Sequence, residues 1–214
     1  MSSTQADRDQ RRPYHHGALR EALIEASIAL ASEGGPDRVV LREAARVAGV
    51  SHSAAYRHFR DREELLAEVS HRARHELAAE MRRRVGRTKD PRKRLRAVGT
   101  AYVDFALTRT GLFRTAFVAH PATAEVGSPD GFEAEDPPGD AEPFQVLGRV
   151  LDETVAAGLL KPERRPGAEI AAWSAVHGLA VLLLDGPLPS SPAGITFATR
   201  QVLDAVERAL LDGT

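Results

Sequence analysis

Leu41-Arg42-Glu43-Ala44-Ala45-Arg46-Val47-Ala48-Gly49-Val50-Ser51-His52-Ser53-Ala54-Ala55-Tyr56-Arg57-His58-Phe59 is the stretch that decides how this chain is read. The pattern predicts a short helix from Leu41 to about Ala48, a break at Gly49, and a second helix capped by Ser51 and ending near Phe59. A serine in that cap position accepts a hydrogen bond from an orphan N–H of the first turn. Two short helices joined so tightly must cross steeply, and the residue types suit that. Ala45 and Ala48 are small where the helices approach, and Gly49 is free to adopt the left-handed backbone of the turn. Val50 points inward, and Ala55 and Phe59 extend its apolar face four residues apart. His52, Ser53, Ala54, Arg57 and His58 remain outside, short or basic, as a helix lodged in a major groove requires. Spacing alone also fits an ordinary helical hairpin with a solvated polar face.

Outward from this stretch the chain reads as helices, with almost no strand signal. Residues 1–13 are polar and are expected to form a flexible arm. Leu19, Leu23, Ala26, Ile28 and Leu30 recur near helical spacing between His16 and Glu33, and Gly34-Gly35-Pro36 stops that helix. Asp61 and Glu64 resemble a capping box opening a long charged helix that reaches Val85. Asp90-Pro91 opens another, to about Leu107, and Gly111 separates it from a short segment with Phe113 and Phe117. Residues 119–140 hold four prolines, three glycines and six acidic residues, the composition of a flexible loop. Three helices close the chain, over Pro143–Ala157, Pro166–Leu184 and Pro192–Leu211. The expected fold class is therefore all-α, about nine helices, four in front and five behind.

Tyr14-His15-His16-Gly17-Ala18-Leu19-Arg20, Gly49-Val50-Ser51, Ala55-Tyr56-Arg57-His58-Phe59-Arg60-Asp61 and Leu65-Leu66 resemble, in order and separation, the N-terminal domain of the TetR family of bacterial transcription regulators. The resemblance covers roughly Tyr14 to Val69. It implies a three-helix helix-turn-helix DNA-binding domain over 14–62, a fourth helix over 62–85 that connects, and a ligand-binding and dimerisation domain over 86–214. It makes the helix beginning near Ser51 the recognition helix, with Ser51 among the DNA-contacting residues and His52, Ser53 and Ala54 at base edges or the groove floor. It gives Tyr56, His58 and Arg62 to backbone phosphates, and Arg42 to a guanine or a phosphate. Arg57 belongs to the same exposed face, and Arg11, Arg12 and Tyr14 are candidates for further contacts from the arm. Phosphate contacts fix register and salt-dependent affinity, whereas base contacts specify sequence.

In the second half, Ala171-Ala172-Trp173-Ser174-Ala175-Val176-His177-Gly178-Leu179-Ala180 and Leu182-Leu183-Leu184-Asp185-Gly186 resemble the Trp-His-Gly helix of one subgroup of that family. Trp173 and His177 share a helix face, and Gly178 lets another helix come close. This helix is apolar nearly all round, so it is expected to be buried on more than one side. The resemblance implies a homodimer through the last two helices, for which Ile170, Val176, Leu179, Leu183, Phe197, Val202, Val206 and Leu210 are core or interface candidates. It also implies a pocket for a small hydrophobic effector, with Phe105, Phe113, Phe117, Phe144, Leu147, Trp173 and His177 as lining candidates, any of which also suits a plain core. Double-stranded operator DNA, near-palindromic, is the expected partner, and repression the expected mode.

Charge is divided unevenly. Residues 1–94 hold 20 Lys and Arg against 14 Asp and Glu, and residues 95–214 hold 9 against 16. A basic front and an acidic back are expected where one end meets a polyanion. The chain has no cysteine, which rules out disulfides and thiolate chemistry and fits a reducing cytoplasm. Its longest apolar run, Gly178–Leu184, is far shorter than a membrane span of ~20 residues. His71 and His75 stand i, i+4, but Arg72 and Arg74 between them and the lack of a third ligand suggest an exposed face. No phosphate-binding glycine loop or nucleophile elbow occurs. The expectation is a non-enzymatic cytoplasmic regulator without metal or cofactor. Its rivals are an enzyme and a helical interaction protein that no longer binds DNA.

Overall fold

Nine α-helices and two 3-10 turns, with no strand, make up the regular structure of the described residues. The computed structural model describes residues 12–118, 142–188 and 191–211. The helices are α1 (Arg12–Gly34), α2 (Leu41–Val47), α3 (His52–Ala55), α4 (Arg62–Val85), α5 (Pro91–Thr108), α6 (Thr110–Ala116), α7 (Pro143–Ala156), α8 (Ala168–Leu184) and α9 (Pro192–Leu211). The 3-10 turns span Pro36–Arg38 and Pro162–Arg164. The acidic stretch 119–140, Arg11, and the side chains of Arg12 and Tyr14 lie outside the described residues.

Three expected boundaries move. The first helix starts at Arg12 rather than His16, so it takes in the end of the expected arm. Pro13 favours this, because its ring presets helical φ in a turn whose N–H groups have no partner anyway. The second helix of the reading pair ends at Ala55, not near Phe59. Beyond it the Arg57 and His58 amides bond three residues back, to Ala54 (3.2 Å) and Ala55 (2.9 Å), so the chain tightens out of the α-helix. The helix expected from Pro166 starts at Ala168, after Gly167 at φ +76°.

Capping follows the sequence closely. The Asp61 carboxylate accepts from the Glu64 amide at 2.9 Å, and Glu64 reaches back to the Arg60 amide at 2.8 Å. That second arm lands one residue earlier than in a standard capping box. Asp90 accepts from the amides of Arg92 and Lys93 ahead of α5.

The body is organised around α5, which packs on α4, α6, α7, α8 and α9. Ala101, Tyr102 and Val103 are accordingly buried in succession. Ion pairs tie its outer face to its neighbours. Arg94 grips Glu153 of α7 with two bonds of 2.5 and 2.8 Å. Arg96 meets Asp204 and Glu207 of α9 at 2.5 and 2.8 Å.

The short α6 sits across the junction of head and body. A Cβ on Gly111 would lie 2.1 Å from the Ala31 carbonyl oxygen and 2.7 Å from that of Ser32, so only glycine admits this approach to α1. At the other end of α6 the Ala116 carbonyl accepts from Ser70 Oγ (3.0 Å) and from Arg74 (3.1 Å), both on α4.

Candidate nucleic-acid interface and ligand cavity

The reading pair is built as its residues dictate. Gly49 has φ +68°, and the Val50 amide returns to the Ala45 carbonyl at 2.9 Å, closing the turn. Ala44, Ala45, Ala55 and Phe59 are fully or almost fully buried, and Ala48 and Val50 pack on that core. Arg20 of α1 lies over the Phe59 ring at 5.0 Å and pairs with Glu68 of α4 at 3.1 Å, so α1 and α4 fasten the pair from behind.

Seven of the expected contact residues, Arg42, Ser51, His52, Ser53, Tyr56, Arg57 and Arg62, are exposed, and Ala54 and His58 are half-buried. Tyr56 stands 52% exposed and meets the His52 ring edge-on at 4.8 Å, so its phenol is at the surface and not packed beneath the helix. Ser51 is occupied as the N-cap, accepting from the Ala54 amide at 3.2 Å, and its hydroxyl meets that of Ser53 at 3.2 Å. Arg62 is committed in part to the scaffold. Its Nε donates to the Val39 carbonyl at 2.8 Å and its terminal nitrogen to the Pro36 carbonyl at 2.7 Å. Of five guanidinium N–H donors, these bonds turn some away from any outside phosphate.

The expected ligand-lining residues divide. Tyr102, Phe113, Phe117, Trp173 and His177 form one aromatic cluster, with Tyr102 at 5.5 Å from Phe113 and 5.0 Å from Trp173. Phe117 lies 5.4 Å from His177, and Phe144 joins at the rim, 5.8 Å from Trp173 and 40% exposed. Leu147 lines an adjoining apolar crevice with Trp173, Tyr102, Leu203 and Glu207. Phe105 does not belong: it faces the α4–α5 groove, under the Arg109 guanidinium.

Tyr102 is the member that sequence reading missed. Its hydroxyl lies 2.7 Å from His177 Nδ1, with Tyr102 itself 1% exposed. Burial pushes the phenol far above its usual pKa and pulls His177 below the usual imidazole range. Both stay neutral near pH 7, so one donates and the other accepts.

The last two helices also divide. Val176, Leu179, Leu183 and Leu210 are core, whereas Ile170 and Phe197 are 50% and 58% exposed. Among the described residues nothing lies within 4 Å of a Cβ placed on Gly178. α8 packs on α5, α7 and α9, as expected of a helix buried on more than one side, and is open along the stripe of Ile170, Ser174, Gly178 and Leu182. There Gly178, Leu182, Phe197 and Val202 line an open apolar groove between α8 and α9.

His71 and His75 approach Nε2 to Nε2 at 3.0 Å. Burial, the His71 ring and nearby arginines lower the pKa of His75 against the pull of Glu142. Among the described residues no three His, Asp or Glu groups gather as a metal site. None of the described helices is long and apolar enough to cross a membrane.

A capped, glycine-turned helix pair presenting His, Ser, Tyr and Arg, carried on a helical body with an aromatic cluster, defines a helix-turn-helix DNA-binding protein. Comparison with known proteins gives the family. Residues 23–69 match the model of bacterial regulatory proteins of the tetR family, and residues 95–206 match a tetracyclin repressor-like C-terminal domain. The chain belongs to the TetR family of transcriptional regulators. No curated protein matches it. Among solved structures, a protein of unknown function from Rhodococcus sp. RHA1 is 29% identical, with a TM-score of 0.70 over 94% of this chain and 99% of that one. A TetR-family regulator from Pectobacterium atrosepticum is similar in fold at 18% identity, TM-score 0.66, over 95% and 99% of the two chains. RolR in complex with its ligand resorcinol is similar at 18% identity, TM-score 0.65, over 93% and 90%.

Proposed function

We propose that this regulator is a repressor that binds a near-palindromic operator as a homodimer through its last two helices, and that a small hydrophobic ligand releases it. The observation carrying this reading is the position of α6. It bears Phe113 into the aromatic cluster, while its glycine seats on α1 and its last carbonyl is held by α4. A ligand that spreads the cluster moves α6, and with it the helices that support the head. Ligand and DNA then select different head positions, which is what coupling between the two sites requires.

In this reading His52, Ser53 and Ala54 meet base edges, and Tyr56, Arg57 and His58 hold phosphates. Arg42 reaches a guanine or a phosphate from the supporting helix, and Arg62 adds a phosphate contact with the donors its carbonyl bonds leave over. One short recognition helix reads too little DNA for genomic specificity, so paired heads one or more helical turns apart are needed. The open apolar groove of α8 and α9 supports the dimer, since a second copy would bury Phe197, Leu182 and the Gly178 surface. Tyr102 and His177 suit a flat ligand bearing a hydroxyl, the chemistry of the resorcinol bound to RolR.

The test is binding to the chain's own upstream intergenic DNA across a salt series, followed by ligand screening on that complex. A footprint on a near-palindrome, abolished by adding a small aromatic hydroxyl compound, is the expected result. Weak binding indifferent to sequence, or a footprint that no such compound alters, overturns the corresponding half of the reading.

A further inference from the structure

The basic excess of the front half is not at the reading head. Residues 1–81 hold twelve Lys and Arg against thirteen Asp and Glu, whereas residues 82–94 hold eight against one, Asp90. This cluster forms the end of α4, the turn after it and the start of α5. The 24 residues of α4 place it roughly 35 Å from the head at ~1.5 Å per residue.

Part of the cluster is structural. Arg84 pairs with Asp104 at 2.5 Å, Arg83 with Glu80, and Arg94 with Glu153. Arg92 stands 3.9 Å from Glu207. The lone carboxylate, Asp90, is turned into the backbone as the cap of α5. Arg87, Lys89 and Lys93 remain exposed, and among the described residues no carboxylate pairs with any of them. The turn that carries them is held firmly: Arg94 donates to the Thr88 carbonyl at 3.2 Å, and Thr88 Oγ1 accepts from the Asp90 amide at 3.2 Å.

We propose that this turn is a second, sequence-indifferent contact for DNA backbone: with the heads on one duplex, Arg87, Lys89 and Lys93 hold phosphates of a separate duplex segment and bridge the two. The proposal rests on the DNA-binding reading above for its choice of polyanion, because a bound regulator meets neighbouring DNA at high effective concentration. The side chains favour DNA over a lipid surface. Val85 and Leu95, the flanking large apolar residues, are buried, so nothing on the turn inserts between acyl chains. A turn already fixed by its own hydrogen bonds loses little freedom on binding.

The experiment uses the full-length chain with three probes: a labelled random-sequence duplex, vesicles of phosphatidylglycerol and phosphatidylcholine, and polyglutamate. Two turn variants are compared with wild type, one with Arg87, Lys89 and Lys93 all changed to Glu and one with all three changed to Gln. A head variant, Arg57→Ala with Tyr56→Phe, is run alongside. Both turn variants should bind the random duplex at least tenfold more weakly. For the Gln variant the slope of log K against log salt should flatten by ~0.9 for each phosphate no longer neutralised. Wild type held on its immobilised upstream fragment should capture the labelled duplex, and the turn variants should hold the fragment without capturing it. Random-duplex binding that falls in the turn variants and persists in the head variant supports the turn even if no operator is found. Binding that vanishes only in the head variant overturns the proposal and leaves the DNA-binding reading standing. Uptake of vesicles or polyglutamate in preference to duplex overturns it as well.

Discussion

The reading head at residues 41–59 and the turn at residues 82–94 are both polar surfaces rich in arginine, yet they are made by different means. The head has three arginines and one glutamate, and much of its exposed face is His52, Ser53 and Tyr56. Its distinguishing features are a glycine at φ +68°, a serine cap and small residues packed beneath. The turn has abundant charge but no capped, glycine-turned helix pair to seat a helix in a groove. Charge summed over half a chain therefore picks out the turn, while backbone geometry picks out the helix pair. Surface charge reports attraction to a polyanion, and specificity has to be read from shape and short side chains.

The largest effect expected on this contrast is from Phe59→Ala. Phe59 is fully buried under the head, and removing such a ring costs about 3–5 kcal/mol. Urea denaturation should show that destabilisation together with abolished upstream-DNA binding. Unchanged stability would mean that the head is not packed as described. Next comes a charge-for-charge exchange between the two regions. Arg57→Ala should weaken binding to the upstream fragment about tenfold, the scale of one charge-assisted hydrogen bond to a phosphate. Lys93→Ala removes the same charge from the turn and should leave that affinity within about twofold, since a sequence-indifferent turn takes no part in reading the operator. Equal weakening by both would erase the distinction.

Ser51→Ala is expected to cost about 1 kcal/mol, the usual value of an N-cap, seen as a modest fall in melting temperature. Its DNA affinity should fall no further than that stability change accounts for. A much larger drop would make the hydroxyl a direct DNA contact. The smallest effect lies in the body. His177 has a pKa lowered by burial, so the unfolded chain takes up a proton that the folded one refuses. Stability from this source is complete above the unfolded value of about 6.5 and is lost as pH falls through it. Melting temperature should drop between about pH 7 and pH 5 more steeply for wild type than for His177→Gln. Parallel curves would count against a neutral Tyr102–His177 bond.

What can be read from sequence follows the same division. The head is legible because its determinants are local: Gly49, the Ser51 cap and the Asp61–Glu64 start act within four residues of themselves. The cavity is only partly legible. Phe113, Phe117, Trp173 and His177 stand out as aromatic groups on short or patterned helices, and they do converge. Tyr102 escapes notice because α5 is surrounded, and its neighbours Ala101 and Val103 are as buried as it is. The charged residues of α5 mark its outer face, but within Ala101–Val103 no polar neighbour marks which side meets the aromatic cluster. The Arg62 bonds to Val39 and Pro36 span more than twenty residues, and no local pattern announces them.

The seven residues of α6 form a joint whose two ends are fixed by main-chain atoms and whose middle packs through side chains. Gly111 meets backbone carbonyls of α1, and the Ala116 carbonyl is the group that α4 holds. Phe113, between them, touches the cavity with its side chain alone. On the reading proposed above, the input can be rewritten without disturbing the output: altered side chains at 113 and 117 would change which molecule is sensed, while the linkage to the head would stay constant. A regulator built this way can diversify its chemical vocabulary by point substitution and keep one grammar of response.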